Sequence, residues 1–308
     1  MYILDMVGGT PLLELAKITL KPGGSRPDGL RLYGKAEFAN PSGSVKDRAA
    51  KAMIFKAIEE GVLTAGKTII DATSGNTGIA YAMVGAALGF PVTLFLPANA
   101  SAERKGIIRH YGARIVETSP LEGSDGAYFA ARKEVEAHPE RYFYPDQYNN
   151  EANWLAHYRG TGWEIWEQTQ GTVSHFICGM GTSGTFMGTS RRLKELNPKV
   201  SALAVQPDSP FHGIEGTKHM ASTLKPGFYD ENQADRVIAV NTEAAYTMAR
   251  RLAREEGIYT GVSSAANVLA ALIAAETLPV ASVVVTVLCD TGTRYVSDPF
   301  WDEGGGYA

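Results

Sequence analysis

Short β-branched runs alternate with helix-like patterns from one end of this chain to the other, and that alternation limits the fold more than any other feature. Strands read at 32–38, 68–71, 92–96, 114–117, 174–179, 201–206 and 282–289. Helical patterns fall at about 46–60, 76–88, 101–111, 123–138, 150–169, 185–195, 242–256 and 263–276. Strand, helix, strand in succession builds parallel pairs, and runs as apolar as Val-Val-Val-Thr-Val-Leu are covered on both faces. The expectation is an α/β chain with largely parallel, buried sheets. Its 308 residues fit one large or two medium domains. The polar, Asn-rich stretch at 145–153 is the expected crossing point, and the Gly/Pro-rich 21–29 stretch reads as an exposed loop in the first hairpin.

Several function classes are excluded at this level. A net charge of −4, without a basic stripe interleaved with aromatics, argues against nucleic acid and favours small neutral or zwitterionic partners. No charge occurs from Ala72 to Ala102, yet Gly75, Gly78, Gly85, Gly89, Pro91 and Pro97 cut that run into loop, helix, turn and strand, so no membrane span is expected. The start, Met-Tyr-Ile-Leu-Asp, lacks the basic and apolar parts of a signal peptide. Two cysteines, Cys178 and Cys289, close apolar runs and read as buried strand residues; without a CxxC pair they point to a reducing, cytoplasmic setting, and no residue cluster suggests a metal.

Four polar loops carry the chemistry. In Asn-Pro-Ser-Gly-Ser-Val-Lys-Asp-Arg at 40–48, Ser44 and Asp47 stand as the two ends of a capping box. Lys46 then takes the second position of a helix stopped by Gly61, where the positive end of the dipole favours a neutral amine or imine over an ammonium. The turn Thr73, Ser74, Gly75, Asn76, Thr77, Gly78 follows an apolar strand and opens an uncharged helix; hydroxyls, an amide and free N–H groups there suit a carboxylate. Gly181, Thr182, Ser183, Gly184 and Thr185, again between strand and helix, suit a phosphate dianion. Their spacing is neither the Walker loop nor clearly a dinucleotide fingerprint. Thr291 sits in the turn after a long apolar strand, at the end of the sheet where ligands gather.

A lysine, a carboxylate cradle, a phosphate cradle and a hydroxyl partner together describe a pyridoxal phosphate site. The 40–48, 73–78 and 181–185 motifs, with Gly-Thr-Pro-Leu at 9–12, resemble those of the cysteine synthase and cystathionine β-synthase family, in the expected order over nearly the whole chain. The resemblance implies fold type II, as in the tryptophan synthase β-subunit: two three-layer α/β/α domains with mostly parallel sheets. It implies a small mobile domain of 1–12 and 39–150 carrying Lys46 and the substrate loop, and a larger one of 13–38 and 151–308 carrying the phosphate loop. Lys46 resembles the lysine that binds the cofactor covalently and later moves the α-proton. Asn76 looks like the partner of the ring hydroxyl, and the 181–185 loop like the phosphate site. Thr73, Ser74, Gly75, Asn76, Thr77 and Gln147 match substrate-binding positions, and Thr291 matches the hydroxyl facing the pyridine nitrogen.

The implied reaction is β-replacement: an activated serine loses its β-substituent and a sulfur nucleophile takes its place. The 207–220 segment departs from the Gly-Ile-Gly-rich form associated with O-acetylserine enzymes. It also lacks the arginine of O-phosphoserine users, with Lys218 as an electrostatic substitute only, so O-acetylserine is the expected substrate. His212 and His219 read as hydrogen-bonded loop residues, and Ala265 stands where many relatives have glycine. The resemblance further implies a homodimer, with serine acetyltransferase or a sulfur-carrier protein as partners. Cystathionine β-synthase acting on homocysteine is the alternative of the same class, and a non-catalytic regulatory partner of serine acetyltransferase that of another.

Overall fold

The computed structural model describes residues 1–19, 29–73 and 75–302, so Ser74 and all but the last residue of the expected 21–29 loop lie outside the described residues. Among those described, the strands are β1 (Leu12–Glu14), β2 (Arg31–Ala36), β3 (Thr68–Ala72), β4 (Val92–Pro97), β5 (Arg114–Thr118), β6 (Tyr142–Phe143), β7 (His175–Gly179), β8 (Ser201–Pro207), β9 (Arg236–Val240) and β10 (Val283–Leu288). The α-helices are α1 (Lys46–Glu59), α2 (Asn76–Leu88), α3 (Ala102–His110), α4 (Gly123–Ala137), α5 (Ala152–Ala156), α6 (Gly162–Gln168), α7 (Gly184–Leu196), α8 (Thr242–Arg251) and α9 (Val262–Ala275). The chain divides into two compact units, Met1–Gly8 with Asn40–Ala156 and Gly9–Ala39 with His157–Ala308.

The first unit is built on a parallel sheet of order β5-β4-β3-β6. Successive side chains of a strand face opposite ways, so Ile69, Leu94 and Leu96 join α1 and α2 in one core, while Ile70 and Phe95 join Ala127 and Ala131 of α4 in another. That gives three layers. Helix α2 carries no charge and is buried from Thr77 to Gly85, as a helix apolar on every side must be. It presses so closely on the sheet that a Cβ at Gly85 would stand 2.3 Å from Val92 Cγ2. The helix ends at Gly89 in the left-handed conformation, φ 77°.

The second unit holds a six-stranded sheet of order β1-β2-β10-β7-β8-β9, parallel except for β1 against β2. Ile177, Leu203, Val205, Val284 and Leu288 pack with α8 and α9 on one face. On the other, Phe176 stacks on Phe186 of α7, ring centroids 6.3 Å apart. Thr10 and Gly9 are anchored here: Lys35, fully buried, donates from Nζ to Thr10 O (2.5 Å) and Gln168 Oε1 (2.9 Å) and pairs with Glu164 Oε2 (2.6 Å). Glu164 accepts the Gly9 N–H in turn, and Thr10 Oγ1 donates to the buried Glu37. A buried ammonium is tolerable only with its donors matched in this way.

Three strands were not expected from the sequence. Strands β1 and β6 are three and two residues long, and β9 lies at a sheet edge with three of five residues exposed, so none presents a buried apolar run. The expected helix at 150–169 is interrupted by a π turn at His157–Thr161, and that at 242–256 ends in another at Leu252–Glu256. Cys178 is buried in β7, but Cys289 is only half-buried, just past β10. No helix among the described residues is long and apolar enough to cross a membrane.

Candidate active site

In the first unit the 40–48 loop is fastened before it delivers Lys46. Asn40 Oδ1 accepts the Gly8 N–H (2.9 Å) and its carbonyl accepts the Gly43 N–H (2.7 Å). The expected capping box is corrected by the structure. The Asp47 carboxylate accepts the backbone N–H (2.6 Å) and hydroxyl of Ser42, while Ser44 accepts the N–H of Lys46 on Oγ and that of Asp47 on its carbonyl, both at 3.3 Å. The N-cap is Val45, and Lys46 is the first helical residue rather than the second. Its half-buried side chain leaves from the positive end of α1.

The 73–78 loop begins where Thr73 N–H meets Phe95 O (3.1 Å), and Gly75 caps α2. A Cβ at Gly78 would lie 2.9 Å from Thr73 O, so this glycine lets the loop fold back onto its helix. Thr77 Oγ1 donates to Gln147 Oε1 at 3.0 Å, both residues being buried, and Gln147 is held through its carbonyl by Asn153 Nδ2 (2.7 Å). The structure thus brings Thr73, Gly75, Asn76, Thr77 and Gln147 together around one helix N-terminus. Two residues before the loop, Asp71 is buried. Burial, with the Asp146 charge adding, pushes its carboxyl up to about 7 against the pull of the Ala72 N–H and the Tyr81 hydroxyl.

In the second unit β7 runs into the 181–185 loop and α7. A Cβ at Gly181 would stand 2.2 Å from Gly216 O, so only glycine fits. Ser183, the N-cap, is left-handed at φ 64°, a conformation that costs a non-glycine residue energy and that gathers at ligand sites. Its hydroxyl oxygen is buried without a hydrogen bond among the described residues. With no acidic side chain in the first turn of α7, these features fit the oxyanion of a phosphate ester. Gly184 N–H meets Thr182 Oγ1 at 3.4 Å.

Thr291 follows β10, the strand paired with β7, and so leaves the same end of the sheet as the 181–185 loop. Its Oγ1 accepts the Thr293 N–H (3.3 Å), and Tyr259 O accepts the Gly292 N–H (3.0 Å). Asp290 beside it is buried and takes the Tyr295 hydroxyl at 2.5 Å. His157 was not singled out from the sequence. Buried in the π turn, it places Nε2 3.3 Å from Thr185 Oγ1 and Nδ1 2.9 Å from Thr161 Oγ1. A histidine inside a helical pattern gives no warning of a π turn, a feature frequent at functional sites.

In the 207–220 segment Lys218 gives its N–H to Met180 O (2.7 Å) and its ammonium to Leu224 O (3.3 Å). His212 Nδ1 accepts the Ile214 N–H, and burial, then His219, hold the imidazole below the usual histidine range against the pull of Asp208. His219 Nδ1 bonds Ser222 Oγ at 2.8 Å. Both histidines are hydrogen-bonded loop residues.

Comparison with known proteins agrees with this geometry. Residues 3–290 match the family model described as pyridoxal-phosphate dependent enzyme. The chain is 50% identical over 304 residues to the cysteine synthase of Aquifex aeolicus, covering 98% of this chain and 92% of the relative. Among solved structures, a cysteine synthase of Entamoeba histolytica aligns with a TM-score of 0.92 at 36% identity, over 98% of this chain and 92% of that one. An O-ureido-L-serine synthase aligns at 0.91 and 35%, over 100% and 96%. The architecture is the type II α/β fold of these enzymes.

Proposed function

The chain belongs to the pyridoxal-phosphate dependent enzyme family, and on that footing we propose that it is a cysteine synthase, replacing the β-substituent of O-acetylserine by sulfur. What carries the reading is 50% identity to a cysteine synthase over 98% of the chain, with Lys46 at the start of α1 and both glycine-bearing turns before their helices. When bound, pyridoxal phosphate acts as the electron sink that makes loss of an amino acid's α-proton and β-substituent feasible.

The chain's own residues supply the rest. Lys46 would hold the cofactor covalently and, once its amine is released by the incoming amino acid, would take and return the α-proton; the dipole at the start of α1 opposes a cation there, as that work requires. Gly181, Thr182, Ser183, Gly184 and Thr185 take the phosphate. Asn76 bonds the ring oxygen. Thr291 would offer the ring nitrogen a neutral hydroxyl, which would leave that nitrogen unprotonated and favour elimination over transamination. Thr73, Gly75, Thr77 and Gln147, with Ser74, grip the substrate carboxylate and exclude water as they close on it. O-acetylserine is preferred to O-phosphoserine because 207–232 contains no arginine and the Lys218 ammonium is engaged by Leu224 O. Both cysteines are thiols, in keeping with a reducing cytoplasm; a homodimer, and serine acetyltransferase and a sulfur-carrier protein as partners, are to be tested.

Adding O-acetylserine to the protein loaded with pyridoxal phosphate should move the visible band, and sulfide should restore it with release of cysteine. A spectrum unmoved by O-acetylserine, O-phosphoserine and serine alike would overturn the assignment.

A further inference from the structure

Strands β7 and β10 are paired as far as Thr286 opposite Ile177; the last two residues of each strand, which lead toward the turns of the site, carry no further rung between them. The gap is bridged by one side chain. Asn267, fully buried in the second turn of α9, accepts the Gly179 N–H on Oδ1 at 2.7 Å and donates from Nδ2 to Val287 O at 2.9 Å, with Cys289 Sγ 3.5 Å away. A carboxamide carries the same donor and acceptor as a peptide unit, so it replaces the missing rung. Gly179 is matched to it: a Cβ there would stand 3.0 Å from Asn267 Oδ1. On the same face of α9, Ser264 Oγ accepts the Cys289 N–H (2.8 Å), and Thr260 Oγ1 at the helix entry meets Asp290 O (2.6 Å). Gly179 lies two residues before Gly181, and Val287 four before Thr291.

We propose that Asn267 is a positioning residue for the cofactor, setting the distance between the 181–185 loop and the Thr291 turn by spanning the ends of β7 and β10. The inference rests on the reading of those two turns as contacts of pyridoxal phosphate. Removing the amide leaves the buried Gly179 N–H unmatched and the Val287 carbonyl with the weak Cys289 thiol at 3.8 Å, and both strand ends shift to satisfy them.

The test uses the full chain reconstituted with pyridoxal phosphate. In Asn267→Leu, cofactor affinity should fall on the order of tenfold, and both the phosphorus NMR resonance of the bound cofactor and the visible absorbance maximum should move. Wild-type affinity and spectra in the variant, with only a lower unfolding midpoint, would make Asn267 a structural residue and overturn the proposal. Should Asn267→Leu fail to fold, Asn267→Thr decides by the same three measurements. A wild-type protein that takes up no cofactor defeats the functional reading itself, and this inference with it.

Discussion

The 181–185 loop of the second unit is held from outside at several points: Met180 N–H bonds Val205 O, Met180 O takes the Lys218 N–H, Gly179 N–H is fixed by Asn267, and Thr185 meets His157. In the 73–78 loop of the first unit, among the described residues, Thr73 N–H meets Phe95 O, the Thr77 hydroxyl meets Gln147, and Gly75 N–H meets its own neighbour Thr73 Oγ1 at 3.5 Å. Gly181 has no room for a Cβ, whereas Gly75 has nothing within 4 Å of one. Both turns open a helix, but the first glycine of one is closed in by backbone and that of the other stands in open space. That difference suits a cofactor that stays and a substrate that comes and goes.

The comparison can be broken most directly at Lys46. Lys46→Ala should lower turnover roughly 10³-fold or more while the 181–185 cradle still retains pyridoxal phosphate in equilibrium dialysis; loss of all cofactor would mean that the cradle does not hold it alone. The two glycines give the next contrast. Gly181→Ala must displace Gly216 O and should weaken cofactor binding roughly a hundredfold, whereas Gly75→Ala should change it less than about twofold. Equal effects, measured by fluorescence titration, would erase the distinction.

The remaining effect falls on stability rather than on binding, and concerns the strand feeding the 73–78 loop. Asp71 binds its proton up to about pH 7 when folded and only to about 3.8 when unfolded. Between those values the native state holds the extra proton, so this group's contribution to stability is complete below pH 4 and is lost as pH rises toward 7, by about 4 kcal/mol. Denaturant unfolding at pH 5 and pH 8 should show the part of that decline above pH 5, about 3 kcal/mol, in the wild type and a flatter profile in Asp71→Asn. A profile of the same slope in both would clear Asp71.

Elements with one consistent signal were legible in the sequence. Helix α2 was bounded correctly because it is uncharged and closes on a left-handed glycine, and the glycine-bearing turns announced themselves by composition. The cap of α1 was misplaced by one residue, at Ser44 where the structure has Val45, because a spacing rule cannot tell which serine the loop brings to the Asp47 carboxylate. Edge strand β9 hides because only Ile238 and Val240 are buried. Asn267 and His157 were missed for a shared reason: each lies inside an ordinary helical pattern, and its partners Gly179 and Thr185 are distant in sequence.

The π turn at His157–Thr161 spends one more residue per turn than the helices it joins. Excising a single residue there would let the chain relax into an unbroken α-helix, rotating the segment on one side of the cut by about 100° against the segment on the other. The imidazole would swing away from Thr185 with no change of side-chain chemistry anywhere. Length, more than composition, is therefore what mutation must preserve in these five residues, and an in-frame loss of one codon would be more harmful than most exchanges of an outward-facing letter.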